Sequence, residues 1–271
     1  MQHASCDPTE NNTSTDRDPP ESYLLALVPQ CDSPGILMQS TLPTRPSAAL
    51  LDTTCALPAV GLRTVFFRDF WFKFFGTSVF ITLFFWAYLH LLKNPALPVR
   101  EIPLTVVDHW IEFAPWALVP YLSLWLYCSL PVMLMPTRTR LVNFGAWIGA
   151  MCLVALAIFY RWPNAVPPAH IDWAQYPGVA FLKSVDAAGN ACPSLHVATA
   201  VYASLWLLGL LRELRLPWPA HALQIIWGVA IVYSTMATKQ HVSWDVLAGT
   251  LLGVVFAWAS LQWDRKLPGT L

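Results

Sequence analysis

Two polar segments interrupt a chain that is otherwise apolar, and each carries groups able to bind or move charge. The first reads Ala191-Cys192-Pro193-Ser194-Leu195-His196-Val197-Ala198. Pro193 suits the first turn of a helix, where its missing N–H is no loss. Ser194 and His196 then stand beside backbone amides without intrahelical partners, and a helix N-terminus of that kind is a ready anion site. Taken alone, the segment also reads as Ser-Pro punctuation with an interfacial histidine. The second runs Ser234-Thr235-Met236-Ala237-Thr238-Lys239-Gln240-His241-Val242-Ser243-Trp244-Asp245. His241 and Asp245 are four apart, so on a helix they share a face within reach of each other. A carboxylate that accepts from one imidazole nitrogen fixes the tautomer and leaves the other nitrogen as a base or nucleophile. Asp245 also opens an uncharged window, where an ionisable group points to function. The competing reading is a helix start with Asp in its first turn.

The elements that must position these groups follow from composition. The 271 residues are 56% hydrophobic and 12% charged, with 14 Trp and 14 Phe. A soluble globular domain carries about 25% charge; half of that cannot wet a particle of this size, so most of the outer surface must face lipid. Sixteen basic and sixteen acidic residues leave no net charge, whereas a nucleic-acid binder shows a basic excess. The six cysteines are scattered without paired spacing, which argues against a disulfide scaffold. Past residue 60 the chain alternates uncharged apolar windows with short charged breaks. The windows are 74–92, 113–135, 141–160, about 193–211, 222–238 and 246–263. A spanning helix needs about 20 residues, so six spans are expected in an all-α membrane bundle. Pro115, Pro120 and Pro131 predict kinks in the second.

Charge is unevenly spread. Residues 1–60 hold seven acids, two bases and eight of the 23 prolines. Such a segment cannot bury enough apolar area to order itself. It also lacks the basic and apolar regions of a signal peptide. The chain thus divides into a disordered Pro-rich tail, 1–60, and a membrane domain, 61–271. Six spans put both termini on one side. That side carries Arg63, Arg68, Lys73, Arg138, Arg140, Arg212, Arg215, Arg265 and Lys266; the other carries Lys93, Arg100, Arg161, Lys183 and Lys239. The positive-inside rule places both termini in the cytoplasm. The 161–193 loop and the 239–245 turn then face outward, in the periplasm if the compact chain sits in a bacterial inner membrane.

Pro-Ser-x-His, followed by Ser, six residues, His, three residues and Asp, on successive outward helix ends, resembles the type 2 phosphatidic acid phosphatase (PAP2) superfamily. The resemblance covers roughly residues 70–263 and includes the six-span layout. The stretch STMATKQHVSWDVLAG looks most like the branch that includes inositol phosphorylceramide synthases. The resemblance implies that His241 attacks phosphorus and becomes a phosphohistidine, that Asp245 orients it, and that His196 protonates the leaving oxygen. Ser194 and the amides around it would hold phosphoryl oxygens. The implied partners are a lipid phosphate and the surrounding lipid, with no metal or other cofactor and no nucleic acid.

The match has gaps. The family's first motif, Lys-x6-Arg-Pro, is not intact: the corresponding stretch reads Phe159-Tyr160-Arg161-Trp162-Pro163-Asn164-Ala165-Val166-Pro167-Pro168. The Arg that usually follows the Ser of the last motif is Thr235. Lys239 and Arg161 are the expected replacements for the two missing phosphate-binding cations, with Lys183 behind them, and Arg161 also fits an interfacial anchor beside Trp162. His3, His90, His109, His170 and His221 lie in the tail, in loops or at a span end and are expected to be non-catalytic. Asp172, Tyr176 and Asp186 lie in the outward loop within possible reach of a headgroup. Three functions remain open on the sequence alone. They are a lipid phosphate phosphatase, a lipid phosphotransferase using the same site with an alcohol acceptor, and a two-His, one-carboxylate metal site or proton relay in a transporter.

Overall fold

The computed structural model describes residues 62–185 and 189–267. The tail expected over 1–60, with His3, lies outside them, as does Asp186. Helix α1 (Leu62–Phe67) precedes α2 (Phe70–Lys93), and a short strand β1 (Arg100–Glu101) and α3 (Val106–Trp110) follow. The second span, Pro115–Leu134, is segmented into a 3-10 turn at Pro115–Ala117, α4 (Leu118–Leu122) and α5 (Leu124–Leu134). Then come α6 (Arg138–Arg161), β2 (Asn164–Ala165), α7 (Pro177–Val185), α8 (Leu195–Glu213), α9 (Trp218–Ala237) and α10 (Ser243–Asp264). The fold is all-α apart from the two-residue strands.

Among the described residues, six helices are long and apolar enough to cross a membrane, and each covers one of the expected windows. The chain is an integral membrane protein. Pro115 opens the second span at its 3-10 turn and Pro120 lies in α4 just ahead of the break, whereas Pro131 sits inside α5 without interrupting it. A single turn residue, Ser123, separates α4 from α5, and its hydroxyl donates to the Pro120 carbonyl at 2.7 Å.

Helix α8 is the axis of the bundle. It packs on α10, α9 and α5, with α6 closing the far side of α10. Of its apolar window 56% is buried, against 6% for α2. Lipid offers no hydrophobic drive for helices to associate, so close contact depends on small residues that let backbones approach. Ala198, Ala200 and Ala203 supply them on α8, each at most 1% exposed. Gly249 and Gly253 supply them on α10. A Cβ at Gly253 would come 2.6 Å from the Ala198 carbonyl oxygen, and one at Gly249 would overlap the carbonyl oxygen of Ser194.

The two ends of the bundle are built differently. At the end shared by the start of α6 and the finish of α8 and α10, Arg140 forks onto both Glu213 oxygens at 2.6 and 3.0 Å, and its Nε reaches Asp264 Oδ2 at 2.9 Å. Asn143 donates to the Ser260 carbonyl, and the Ser260 hydroxyl accepts from Tyr202 and Trp206. Lys73, 3% exposed, ties α1 to α5 by donating to the carbonyls of Val65 and Met133. At the opposite end the chain after α2 and the chain after α6 meet as parallel strands, Arg100 against Asn164. This end carries the two polar segments.

Candidate active site

Ser194 caps α8. Its hydroxyl oxygen accepts from the Val197 N–H at 3.2 Å. The helix therefore begins at Leu195, and Pro193 lies ahead of the cap instead of in the first turn as the sequence suggested. A serine hydroxyl can accept an unpaired amide of the first turn, and a proline side chain has no acceptor to offer. The segment before the cap is pinned from two directions. Asn164 brackets Cys192, its Oδ1 accepting from the Cys192 N–H at 2.7 Å and its Nδ2 donating to the Cys192 carbonyl at 2.9 Å. From the other side, the Ser194 N–H donates to the Asp245 carbonyl at 3.1 Å. That bond joins the two polar segments, 51 positions apart in the sequence, into one site.

The second segment turns sharply between α9 and α10. The Thr235 carbonyl accepts from both Gln240 and His241 N–H groups. The position that lacks a cation thus serves through its backbone, and its side chain bonds back to Val232. Lys239 takes a left-handed conformation with φ 55°, which costs a non-glycine residue about 1–2 kcal/mol. Its contacts hold it there. Its ammonium donates to the carbonyls of Asp108 and Ile111, while its own carbonyl accepts from Lys183 Nζ at 3.0 Å. Lys183 also lies over the Trp173 ring, 4.5 Å from the centroid.

Asp245 is fully buried, and its Oδ2 accepts from the Val242 N–H at 3.0 Å. The same oxygen faces His241 Nδ1 at 3.4 Å, a long approach of the kind that closes when a site is loaded. With the carboxylate on the Nδ1 side, Nε2 is the nitrogen left for chemistry. The His196 ring stacks on Tyr121 at 4.7 Å and stands 5.7 Å from the His241 ring, centroid to centroid. Two imidazoles thus flank one gap, one oriented by a carboxylate and one held on an aromatic face.

That gap is the polar head of a cavity of about 730 Å³ bounded by α2, α5, α6, α7 and α8. From His241, His196 and Asn190 it runs along Tyr88, Phe84 and Phe80 to Lys73 and Leu141 at the opposite end of the bundle. Most of its wall is apolar. Its margin includes Trp125, Val142 and Phe181, exposed by 44%, 56% and 72%, so the cavity opens on the lipid-facing surface.

Arg161 stands elsewhere. It is exposed at the end of α6 and lines a separate hollow of about 230 Å³ with Arg100, Trp162 and Pro163. Asp172 and Tyr176 serve the outward loop itself: Asp172 accepts from the Ala174 N–H, and Tyr176 packs edge-on against Phe113. His109 and His221 bond to backbone carbonyls one turn back. Among the described residues no group of three His, Cys, Asp or Glu side chains is placed to hold a metal ion.

Two contributors escaped the sequence reading. Asp108, 8% exposed, accepts from the N–H and hydroxyl of Thr105 and from the N–H and hydroxyl of Ser243, at 2.7–2.9 Å. It therefore clamps α3 onto the first residue of α10, two positions after His241. Burial works against the ionised carboxylate, but the four donors outweigh it and hold the pKa below the ordinary aspartate range. A Thr-x-x-Asp capping box at 105–108 was the available signal, although nothing local pairs it with a serine 135 residues away. The other is Asn190, whose placement depends on the loop's fold. Burial, followed by the charge of Asp245, pushes the Cys192 thiol up to about 11, so it stays protonated and inert.

No curated protein and no solved structure matches the chain. A protein-family model does: residues 142–268, from the first turns of α6 past the end of α10 and including both polar segments, match that of the PAP2 superfamily.

Proposed function

We propose that the chain is a lipid phosphate phosphatase that works through a phosphohistidine without a metal. PAP2 superfamily likeness suggests phosphatase or phosphotransferase activity on lipid phosphates. One observation carries the finer reading: two histidines flank a gap at the head of an apolar cavity, and only one of them faces a buried carboxylate. The acyl or isoprenoid tail lies in the cavity and its phosphate enters the gap. His241 Nε2 attacks phosphorus while the bond to the lipid oxygen breaks, and His196 gives that oxygen its proton. Water then takes the phosphoryl group from His241. Covalent catalysis splits one hard displacement into two easier ones. Ser194 and the amides at the start of α8 hold phosphoryl oxygens. Lys239 contributes positive charge beside His241, and Arg161, beside Arg100, attracts anionic headgroups to this face. The positive-inside count puts the face outward, in the periplasm for a bacterial inner membrane, with both termini cytoplasmic.

A second reading uses the same groups with an alcohol in place of water. The likeness of STMATKQHVSWDVLAG to inositol phosphorylceramide synthases favours it. The deciding experiment measures phosphate release by detergent-solubilised protein over a panel of lipid phosphates with EDTA present. Release by the wild type and none by His241→Ala is expected. Wild-type turnover in His241→Ala would overturn the mechanism, loss of activity on chelation would restore a metal site, and turnover only with added alcohol would make the protein a transferase.

A further inference from the structure

The cations nearest the histidine pair are already engaged. Lys239 and Lys183 donate to backbone carbonyls, and Arg161 lines a different hollow. A phosphoryl group in transfer spreads negative charge over three equatorial oxygens, and donors fixed in advance around those oxygens supply most of the catalysis. Some other donor must stand near the gap.

Asn190 has the properties such a donor needs. It is 6% exposed and lines the cavity together with His196 and His241. Its side-chain Nδ2 is buried and, among the described residues, has no hydrogen-bond partner. A buried amide N–H left unpaired is destabilising, and a bound oxygen would remove that penalty. The residue is also held firmly. Its backbone N–H donates to the Asn164 carbonyl at 2.7 Å, and Asn164 brackets Cys192 two residues on. Its φ of 50° is left-handed, a conformation that Asn tolerates better than most residues. Gln240 also has both amide ends unpaired and buried, but it is not among the residues lining the cavity.

We infer that Asn190 is a phosphate-binding residue, its Nδ2 donating to a non-bridging phosphoryl oxygen held between His196 and His241. This rests on the phosphoryl-transfer reading of the site. It gives the site a neutral donor where charged side chains are committed elsewhere.

The test measures binding of orthovanadate, a phosphate mimic, by thermal shift of the full chain in detergent, so it needs no turnover. Asn190→Asp keeps the shape and the tolerance for a left-handed backbone but turns the donor into an anion. Asn190→Gly keeps the backbone and removes the donor without adding charge. Both should weaken orthovanadate by at least about tenfold, the loss of one hydrogen bond to a charged group. Their melting points without ligand should match wild type. Wild-type affinity in both variants would overturn the assignment. So would a fall in melting point that accompanies the affinity loss in both, since that marks a structural role. If the wild type itself fails to bind orthovanadate, the phosphoryl reading falls with it; if it binds but His241→Ala still turns over, only the mechanism fails.

Discussion

Asp245 has one oxygen engaged and one to spare: Oδ2 takes the Val242 N–H and faces His241, while Oδ1 has no partner among the described residues. An isosteric amide at this position keeps the shape but can present an N–H to Nδ1 and so favour the wrong imidazole tautomer. Asp245→Asn should therefore lower turnover on the order of 10⁴-fold, the cost of the same swap in a Ser-His-Asp triad, while leaving orthovanadate affinity within a few-fold of wild type. Turnover within tenfold of wild type would remove the orienting role. This pair was legible in the sequence from its separation of four residues, although His241 precedes the Val242 cap of α10 and meets Asp245 from the turn and not from a shared helix face. Ser194 was legible as a helix-start residue, though not as the cap itself, since Ser and Pro both suit that neighbourhood and only the fold decides between them. Arg161 illustrates the opposite case. Its end of the bundle followed from counting spans, but which hollow it lines depends on a strand pairing between 100–101 and 164–165 that no local pattern encodes.

At the scale of elements, the contact between α8 and α10 sets the site. Gly249 touches the carbonyl of Ser194, the residue that caps α8 and whose N–H is bonded to Asp245. A methyl group there must push the start of α10 away from the start of α8. Gly249→Ala should cost about 1–3 kcal/mol, the usual penalty for overpacking, and should reduce turnover because His241 and His196 ride on the displaced ends. Gly209→Ala, where a Cβ meets open space within α8, should leave activity unchanged and stability unchanged or slightly improved. Equal effects from the two substitutions, read by detergent melting and by turnover, would show that the contact does not position the site. The Gly-x-x-x-Gly spacing at 249–253 is a packing signal that the sequence reading passed over; its link to the proposed site leaves no mark in residue type, because the partner is backbone. The six spans were legible for a simpler reason, since bilayer thickness sets their length and lipid excludes charge.

Over the whole molecule, the end opposite the site is locked by charge. Arg140 is 7% exposed and joins α6 to α8 through Glu213 and to α10 through Asp264. Removing one member of a buried ion pair strands the others, at about 3–5 kcal/mol. Arg140→Met should lower the melting point markedly while the surviving folded protein keeps its turnover, because the change lies a full helix length from His241. An unchanged melting point would mean that water, not Arg140, satisfies the two carboxylates. The buried charge network thus lies at one end of the bundle and the proposed site at the other, with the small-residue seam of α8 and α10 running between them.

Helix α2 stands apart from that arrangement. It is 6% buried along its span, and beyond it the apolar cavity opens on the lipid-facing surface. On the proposed function, a lipid substrate passes from bilayer to histidines without its tail crossing water, and solvent concentration ceases to be the quantity that fills the site. Velocity will track the mole fraction of substrate in the membrane or micelle, so that adding inert lipid or detergent at fixed total substrate slows the reaction by surface dilution.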